Sequence, residues 1–234
     1  MIVPLIALQG ACSNPPPDPG LGQRSSVLSL GVPQSPLIVH YPTLDRRLVG
    51  IDPASGRPRW TVYPDRFYPE LSTVRDFAAD RRHLYLLLGS RENPDDPRLF
   101  VVDPTRQQLT AALPLPPQPQ RLTWNGADLL VGHDTPANGP GGRLTRVITA
   151  APAVDRTIDL AGACLSIAPA GSVAFVLERS ARIANDQQVV ALYHLAEIDL
   201  DRARVRRRLP LPGGARQLLA GPRGLLYLSH ASGS

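Results

Sequence analysis

A pattern of strand, turn and strand occurs at Leu99–Pro116, LFVVDPTRQQLTAALPLP, and again at Leu195–Pro212, LAEIDLDRARVRRRLPLP. The two segments align without a gap. Asp103 meets Asp199, Leu109 meets Val205, and Leu113–Pro116 meets Leu209–Pro212. The offset is 96 residues, or two units of about 48. An earlier copy, LVGIDPASGRPRW at Leu48–Trp60, puts Asp52 51 residues before Asp103. A chain repeating a hairpin at this period buries its apolar residues by stacking copies of one sheet.

The remaining segments fill out the unit. An apolar strand recurs at Leu37–His40, Leu84–Leu88, Leu129–His133, Val173–Leu177 and Leu225–Ser229. A second strand follows at Leu48–Asp52, Leu99–Asp103, Leu144–Thr149 and Val189–Asp199, and a third at Arg59–Tyr63, Leu109–Leu115, Thr157–Leu160 and Val205–Leu211. A fourth precedes the next unit at Val74–Ala79, Arg121–Trp124, Ala163–Ala168 and Gln217–Ala220. Four antiparallel strands in roughly 45–50 residues is the period of a β-propeller blade. Composition agrees with an all-β chain of short elements, since Pro (26) and Gly (19) supply turns throughout. No internal run keeps helical spacing of apolar residues.

The best-formed copy, Ile51-Asp52-Pro53-Ala54-Ser55-Gly56 followed by Trp60, resembles the quinoprotein-like and YVTN-like propeller repeats. Their pattern is a strand, an Asp-x-x-[ST]-Gly turn and a second strand, often ending in Trp. The Asp accepts backbone N–H groups across the turn, and the Gly supplies positive φ. Gln107 and Ala203 stand where later copies would carry that Gly. The resemblance implies a β-propeller running from Leu37 to the C-terminus. Leu37–Tyr63 gives the outer three strands of a first blade. Leu71–Leu115, Arg121–Leu160 and Ala163–Leu211 give full blades, and Gln217–Ser229 the inner half of another. The expected fold is therefore all-β, a β-propeller of four-stranded antiparallel blades with about four and a half to five blades present. Val27–Leu30 is a candidate for the outer strand that closes the last blade of a five-blade ring, the alternative being a truncated propeller.

The segment Met1–Asn14, MIVPLIALQGACSN, resembles the end of a bacterial lipoprotein signal peptide. That resemblance implies a lipidated Cys12 as the mature N-terminus. Residues 13–25 are Pro/Gly-rich and read as a tether, and residues 26–234 as the propeller domain. Cys164 lies in the apolar strand AGACLSIA and reads as a small buried hydrophobe. The net charge is +5, carried entirely by Arg among the basic residues. These Arg residues are scattered and aromatics are only 5% of the chain. Nucleic acid is therefore not an expected partner.

Repeat register puts the starts of the inner strands around one opening: Arg75-Asp76, Gln120-Arg121, Ala163-Cys164 and Arg216-Gln217. Arg75, Asp76, Arg121 and Arg216 are thus a candidate channel-mouth site for a carboxylate or phosphate, which suits the rigid guanidinium fork. His40, His133 and His230 end the recurring strand on one face, near Asp134 and Glu178. They sit on different blades, too dispersed for one ion, and read as solvated strand ends. Arg91–Pro97, RENPDDP, reads as a polar hairpin tip. Arg204–Arg208, RVRRR, reads as a solvated outer strand, with anionic lipid headgroups as an alternative partner. No nucleophile elbow, phosphate loop or Cys-x-x-Cys is present.

These readings point to a non-enzymatic, envelope-associated propeller lipoprotein that binds a protein partner, with no metal or cofactor. A quinoprotein-like dehydrogenase or another propeller enzyme is the alternative, as is a fragment of a larger propeller. Quinoprotein dehydrogenases need calcium and Trp residues stacked over a quinone. This chain has only Trp60 and Trp124.

Overall fold

The computed structural model describes residues 28–29, 38–40, 47–52, 54–67, 71–80, 82–90, 97–135, 141–183, 189–220 and 226–230. Strands β1 (Leu28–Ser29), β2 (Ile38–His40), β3 (Leu48–Ile51) and β4 (Pro58–Val62) form the first sheet in chain order. The second is β5 (Leu71–Ala79), β6 (Leu84–Ser90), β7 (Arg98–Asp103) and β8 (Gln108–Pro114). The third is β9 (Pro119–Trp124), β10 (Asp128–His133), β11 (Arg143–Ile148) and β12 (Ala153–Asp159). The fourth is β13 (Ala163–Ala170), β14 (Val173–Ile183), β15 (Val189–Asp199) and β16 (Arg204–Leu211). A two-stranded sheet, β17 (Ala215–Ala220) and β18 (Leu226–His230), comes last. Every pairing is antiparallel. Strand β5 lies against β9, β9 against β13, and β13 against β17. First strands meeting in succession are the inner ring of a propeller, and each sheet is a blade.

The expected closing role of Val27–Leu30 is corrected. Leu28 and Ser29 pair with Val39 and Ile38, so this segment is the inner strand of the first blade. A short connection makes that local pairing cheaper in chain entropy than closure across the whole domain.

The core lies between blades rather than within one. Leu84, Leu86 and Leu88 face the first blade, where they meet Leu48 and Val62. The alternate residues Tyr85 and Leu87 face the third blade and meet Leu122, Leu129 and Val131. Side chains alternate across a strand, so a strand covered on both faces reads as an unbroken apolar run. Leu84–Leu88 are all buried, as are all six residues of β10. The outer strand β8, by contrast, is largely exposed. Blades three and four join through Leu130, Ile158, Cys164 and Val176. Blade four joins the last sheet through Ala168, Leu177, Ala215 and Leu218. Cys164 is a free, buried thiol in this core, with its pKa pushed up to about 12 by burial. A Cβ added to Gly132 would run into its Sγ, so glycine is what admits the thiol.

The repeated Asp organises the turn between third and fourth strands. Asp52 Oδ1 accepts from Ala54 N at 2.9 Å, and Asp103 Oδ1 from Thr105 N and Arg106 N at 2.9 and 3.0 Å. Asp199 Oδ1 accepts from Arg202 N at 3.0 Å. Four residues after each Asp the backbone turns left-handed: Gly56 at φ 66°, Gln107 at 53° and Ala203 at 51°. Each of these turns is followed by a bulge in the outer strand pair. A type I turn closed by a left-handed residue requires that conformation whatever side chain occupies it. The third blade lacks the Asp. There Thr149 Oγ1 donates to Ala127 O instead, at 2.9 Å.

Nothing lies within 4 Å of a Cβ built on Gly56. Its substitution therefore isolates the backbone term. Gly56→Ala is expected to cost about 1 kcal/mol. Gln107→Gly is expected to gain about 0.5 kcal/mol, since relief of the left-handed strain outweighs the entropy glycine loses on folding. Urea unfolding midpoints measure both.

Candidate functional site

Each of the inner strands β5, β9, β13 and β17 is bulged near its start. The residue out of register is Arg75 on β5, Gln120 on β9, Leu165 on β13 and Arg216 on β17. A bulge bends the strand and re-aims its side chains. The side chain following three of these bulges reaches the inner strand of the next blade. Asp76 Oδ2 accepts from Leu122 N at 2.9 Å. Arg121 Nε donates to Leu165 O at 2.6 Å. Ser166 Oγ accepts from Leu218 N at 3.1 Å and donates to Leu218 O at 3.2 Å. Arg75, itself a bulge residue, donates from Nη1 to Pro119 O at 3.2 Å.

Three of the four channel-mouth candidates, Arg75, Asp76 and Arg121, therefore hold one inner strand to the next. Arg121 binds the carbonyl of the bulge residue Leu165, while Arg75 and Asp76 bind Pro119 and Leu122 on either side of the bulge at Gln120. Arg216 is exposed and makes no hydrogen bond or ion pair among the described residues. Ser166 shares the repeat position of Asp76 and Arg121, and sequence reasoning missed it. The available signal was a polar residue at one repeat position within three apolar strands.

The histidine reading is corrected at His133. It is not a solvated strand end but is 1% exposed, with Nδ1 3.0 Å from Pro117 O. Its Nε2 has no hydrogen-bond partner among the described residues. The side chains of His40 and His230 lie outside the described residues, as do Cys12 and residues 91–96. Glu178 is fully buried, accepting from Arg208 Nε at 3.1 Å and Ala161 N at 3.3 Å. Asp134 caps its own loop, accepting from Thr135 N at 2.8 Å. Among the described residues, no group of three or more His, Cys, Asp or Glu is placed to hold a metal ion.

The basic run is also tied inward. Arg206 pairs with Asp199 at 3.0 Å and Glu197 at 3.5 Å, Arg207 with Glu197 at 2.6 Å, and Arg208 with Glu178 at 3.1 Å. The N–H of Arg202 and the guanidinium of Arg206 hold the Asp199 carboxyl down at about 2. Strand β16 is exposed along most of its length, as expected of an outer strand, and its arginines also form half of an ion-pair network on the fourth blade. Trp124 stacks on Tyr85 of the preceding blade, ring centroids 6.1 Å apart and 11° from parallel. Trp60 packs over Gly50, its cross-strand partner.

One feature of the fourth blade has no counterpart in the others among the described residues. Strand β13 pairs with β14 only as far as Arg179, and β16 with β15 only as far as Tyr193. The hairpin continues through Ser180↔Leu192, Ala181↔Ala191, Arg182↔Val190 and Ile183↔Val189. These pairs have no neighbouring strand on either side among the described residues. Val190 is 44% and Leu192 38% exposed. The arm thus offers free backbone edges and an apolar surface together.

No family model matches the chain, and no curated protein matches its sequence. Solved structures do. Hydrazine synthase of Kuenenia stuttgartiensis superimposes with a TM-score of 0.63 at 14% identity, covering 83% of this chain and 52% of that one. The Neurospora crassa Pan2 WD40 domain gives 0.60 at 12% identity, covering 85% and 56%. The Dos1 propeller gives 0.55 at 9% identity, covering 84% and 50%. At such identities the likeness is one of fold. The chain is a β-propeller domain, built of four-stranded antiparallel blades. It spans about half the length of the solved chains it resembles.

Burial pushes the His133 pKa down from 6.5, against the pull of the Pro117 carbonyl. The unfolded chain therefore takes up a proton near that pH before the folded chain does. The contribution is intact above 6.5 and falls as pH drops through it, by at most about 1.4 kcal/mol per pH unit. His133→Gln is expected to flatten the stability profile between about pH 7 and pH 5, as read from urea midpoints at each pH.

Proposed function

We propose that this chain is a non-enzymatic, protein-binding propeller module of a bacterial envelope. The observation that carries the reading is the β14–β15 arm. Its four register pairs stand clear of the blade, with Val190, Ala191 and Leu192 exposed along one strand. Unpaired strand edges bearing apolar side chains offer an incoming chain both backbone hydrogen bonds and an apolar contact. A rigid blade presenting a short arm is a suitable platform for a protein ligand.

The double substitution Val190→Asp, Leu192→Asp lies outside the core. It should leave the unfolding midpoint unchanged while weakening partner retention about tenfold. The measurement is a pull-down from envelope extract with wild-type and variant protein side by side. Bands held above background by the wild type and lost with the variant support the reading. Equal retention overturns it.

The envelope location is supported by the apolar start, Cys12 and the Pro-rich stretch at residues 13–25. An acyl chain on that cysteine tethers the domain reversibly, and a second chain makes the anchor stable. Expressed in a bacterial host, the wild type should partition into the detergent phase of a cloud-point extraction, and Cys12→Ser into the aqueous phase. Aqueous partition of both would remove the lipoprotein reading and leave the arm untouched.

A further inference from the structure

Given the β14–β15 arm as a protein-binding element, on which this inference rests, its charge narrows the class of partner. We propose that the arm pairs with an extended acidic segment of another protein, whose carboxylates meet Arg179 and Arg182.

The open edges of the arm lie in the interior of the chain. Strand β13 begins at Ala163 and β16 ends at Leu211, both within the fourth blade. The residues before β13 are held against blade three, where Gly142 N donates to Gly162 O at 3.1 Å and Leu160 N donates to Gly142 O at 2.9 Å. The residues after β16 pass through a turn into β17 at Ala215. The hairpin continues for four register pairs past both neighbours. At the rise of an antiparallel strand this is about 13 Å. That length gives an incoming strand several backbone partners.

Charge on the arm is of one sign. The arm and its root, Arg179–Ile183 and Val189–Tyr193, hold two arginines and no acid. Arg179 and Arg182 are exposed and make no hydrogen bond or ion pair among the described residues. Other strand arginines of this chain are met by an acid: Arg59 by Asp52 at 2.9 Å, Arg143 by Asp159 at 3.5 Å and Arg146 by Asp128 at 2.7 Å. The acid next to the arm, Glu178, is fully buried and taken by Arg208 and Ala161 N. Arg182 stands opposite Val190, and Ser180 opposite Leu192. Cross-strand partners share a face. One face of the arm therefore carries a guanidinium beside two exposed apolar side chains, and strand alternation puts Arg179 on the other face. A matching strand has carboxylates on both of its faces.

Two other occupants fit less well. A second copy would bring the same arginines together, and like charges across a strand pair repel. An anionic bilayer would attract the arginines, but its hydrocarbon leaves the unpaired N–H and C=O groups of the hairpin unsatisfied. An added strand satisfies both the edge and the charge.

The test is fluorescence anisotropy of two labelled peptides of about ten residues against the full chain at low salt. One is built of Val-Thr-Glu repeats, which set Glu alternately on the two faces of a strand. The other is built of Val-Thr-Lys repeats. The Glu peptide should bind about tenfold tighter or better, and added salt should shrink the preference. Arg179→Glu, Arg182→Glu should abolish it. The whole chain is cationic at +5, so a control reverses as many charges away from the arm. Arg57→Glu, Arg82→Glu, at two other exposed positions, should keep the preference. Unfolding midpoints should stay at the wild-type value in both variants. Should charge reversal disturb the arm, Arg179→Gln, Arg182→Gln takes its place. Equal binding of the two peptides, binding of neither, or a preference lost equally in arm variant and control overturns the proposal. Arm-dependent binding to phosphatidylglycerol vesicles in place of the Glu peptide overturns it in favour of lipid. Envelope bands lost with Val190→Asp, Leu192→Asp but fully retained by Arg179→Glu, Arg182→Glu overturn it while leaving the arm a protein-binding element.

Discussion

The packing of sheet on sheet sustains this structure. An isolated four-stranded sheet has an exposed apolar face and little stability of its own. Here each inner blade is covered on both sides, and its second strand sends alternate residues into two different cores. Tyr85 and Leu86 are neighbours in sequence yet belong to separate interfaces. Each fully buried leucine contributes about 2 kcal/mol relative to exposure. Such contributions exist only while the neighbouring blade is in place. Stability is therefore shared between nearest neighbours, as in other repeat architectures, and an uncovered blade face is an incomplete interface.

Polar groups set the angle at which those faces meet. The bulges at Arg75, Gln120, Leu165 and Arg216 interrupt the ladder at equivalent points. The interruption costs hydrogen bonds within a blade. Asp76, Arg121 and Ser166 offset that cost by binding backbone of the next blade. Three different side chains do one job because what they bind is backbone. A carboxylate takes an N–H, a guanidinium takes a C=O, and a hydroxyl takes both. On the fourth blade the buried acids Glu178 and Asp199 need cationic partners, and the arginines of β16 supply them.

Much of the architecture was legible. The spacing of Asp52, Asp103 and Asp199 announced the period, and the leucine run at 84–88 marked a strand buried on both faces. The turn chemistry was legible too, including the position that must turn left-handed. Val27–Leu30 was misplaced because a four-residue apolar strand carries no sign of which sheet it joins. His133 looked like a strand end in water because a loop that packs over it leaves no local signature. That the exposed arginines of β16 are also ion-paired was not legible, because their acidic partners lie across the sheet. The β14–β15 arm was missed because the apolar run stops at Leu177, so Ser180–Ile183 did not read as strand, and because only the end of the neighbouring strands makes Val189–Leu192 project.

The sequence by itself determined that this protein is a stack of hairpins, because strand alternation, turn-forming Asp and repeat period are local properties of the chain. The tertiary structure alone decided which faces and edges remain open. Tyr85 and Tyr227 occupy one repeat position, yet one is buried and the other exposed. The difference is whether a described blade packs against the tyrosine, and no residue near either one encodes it.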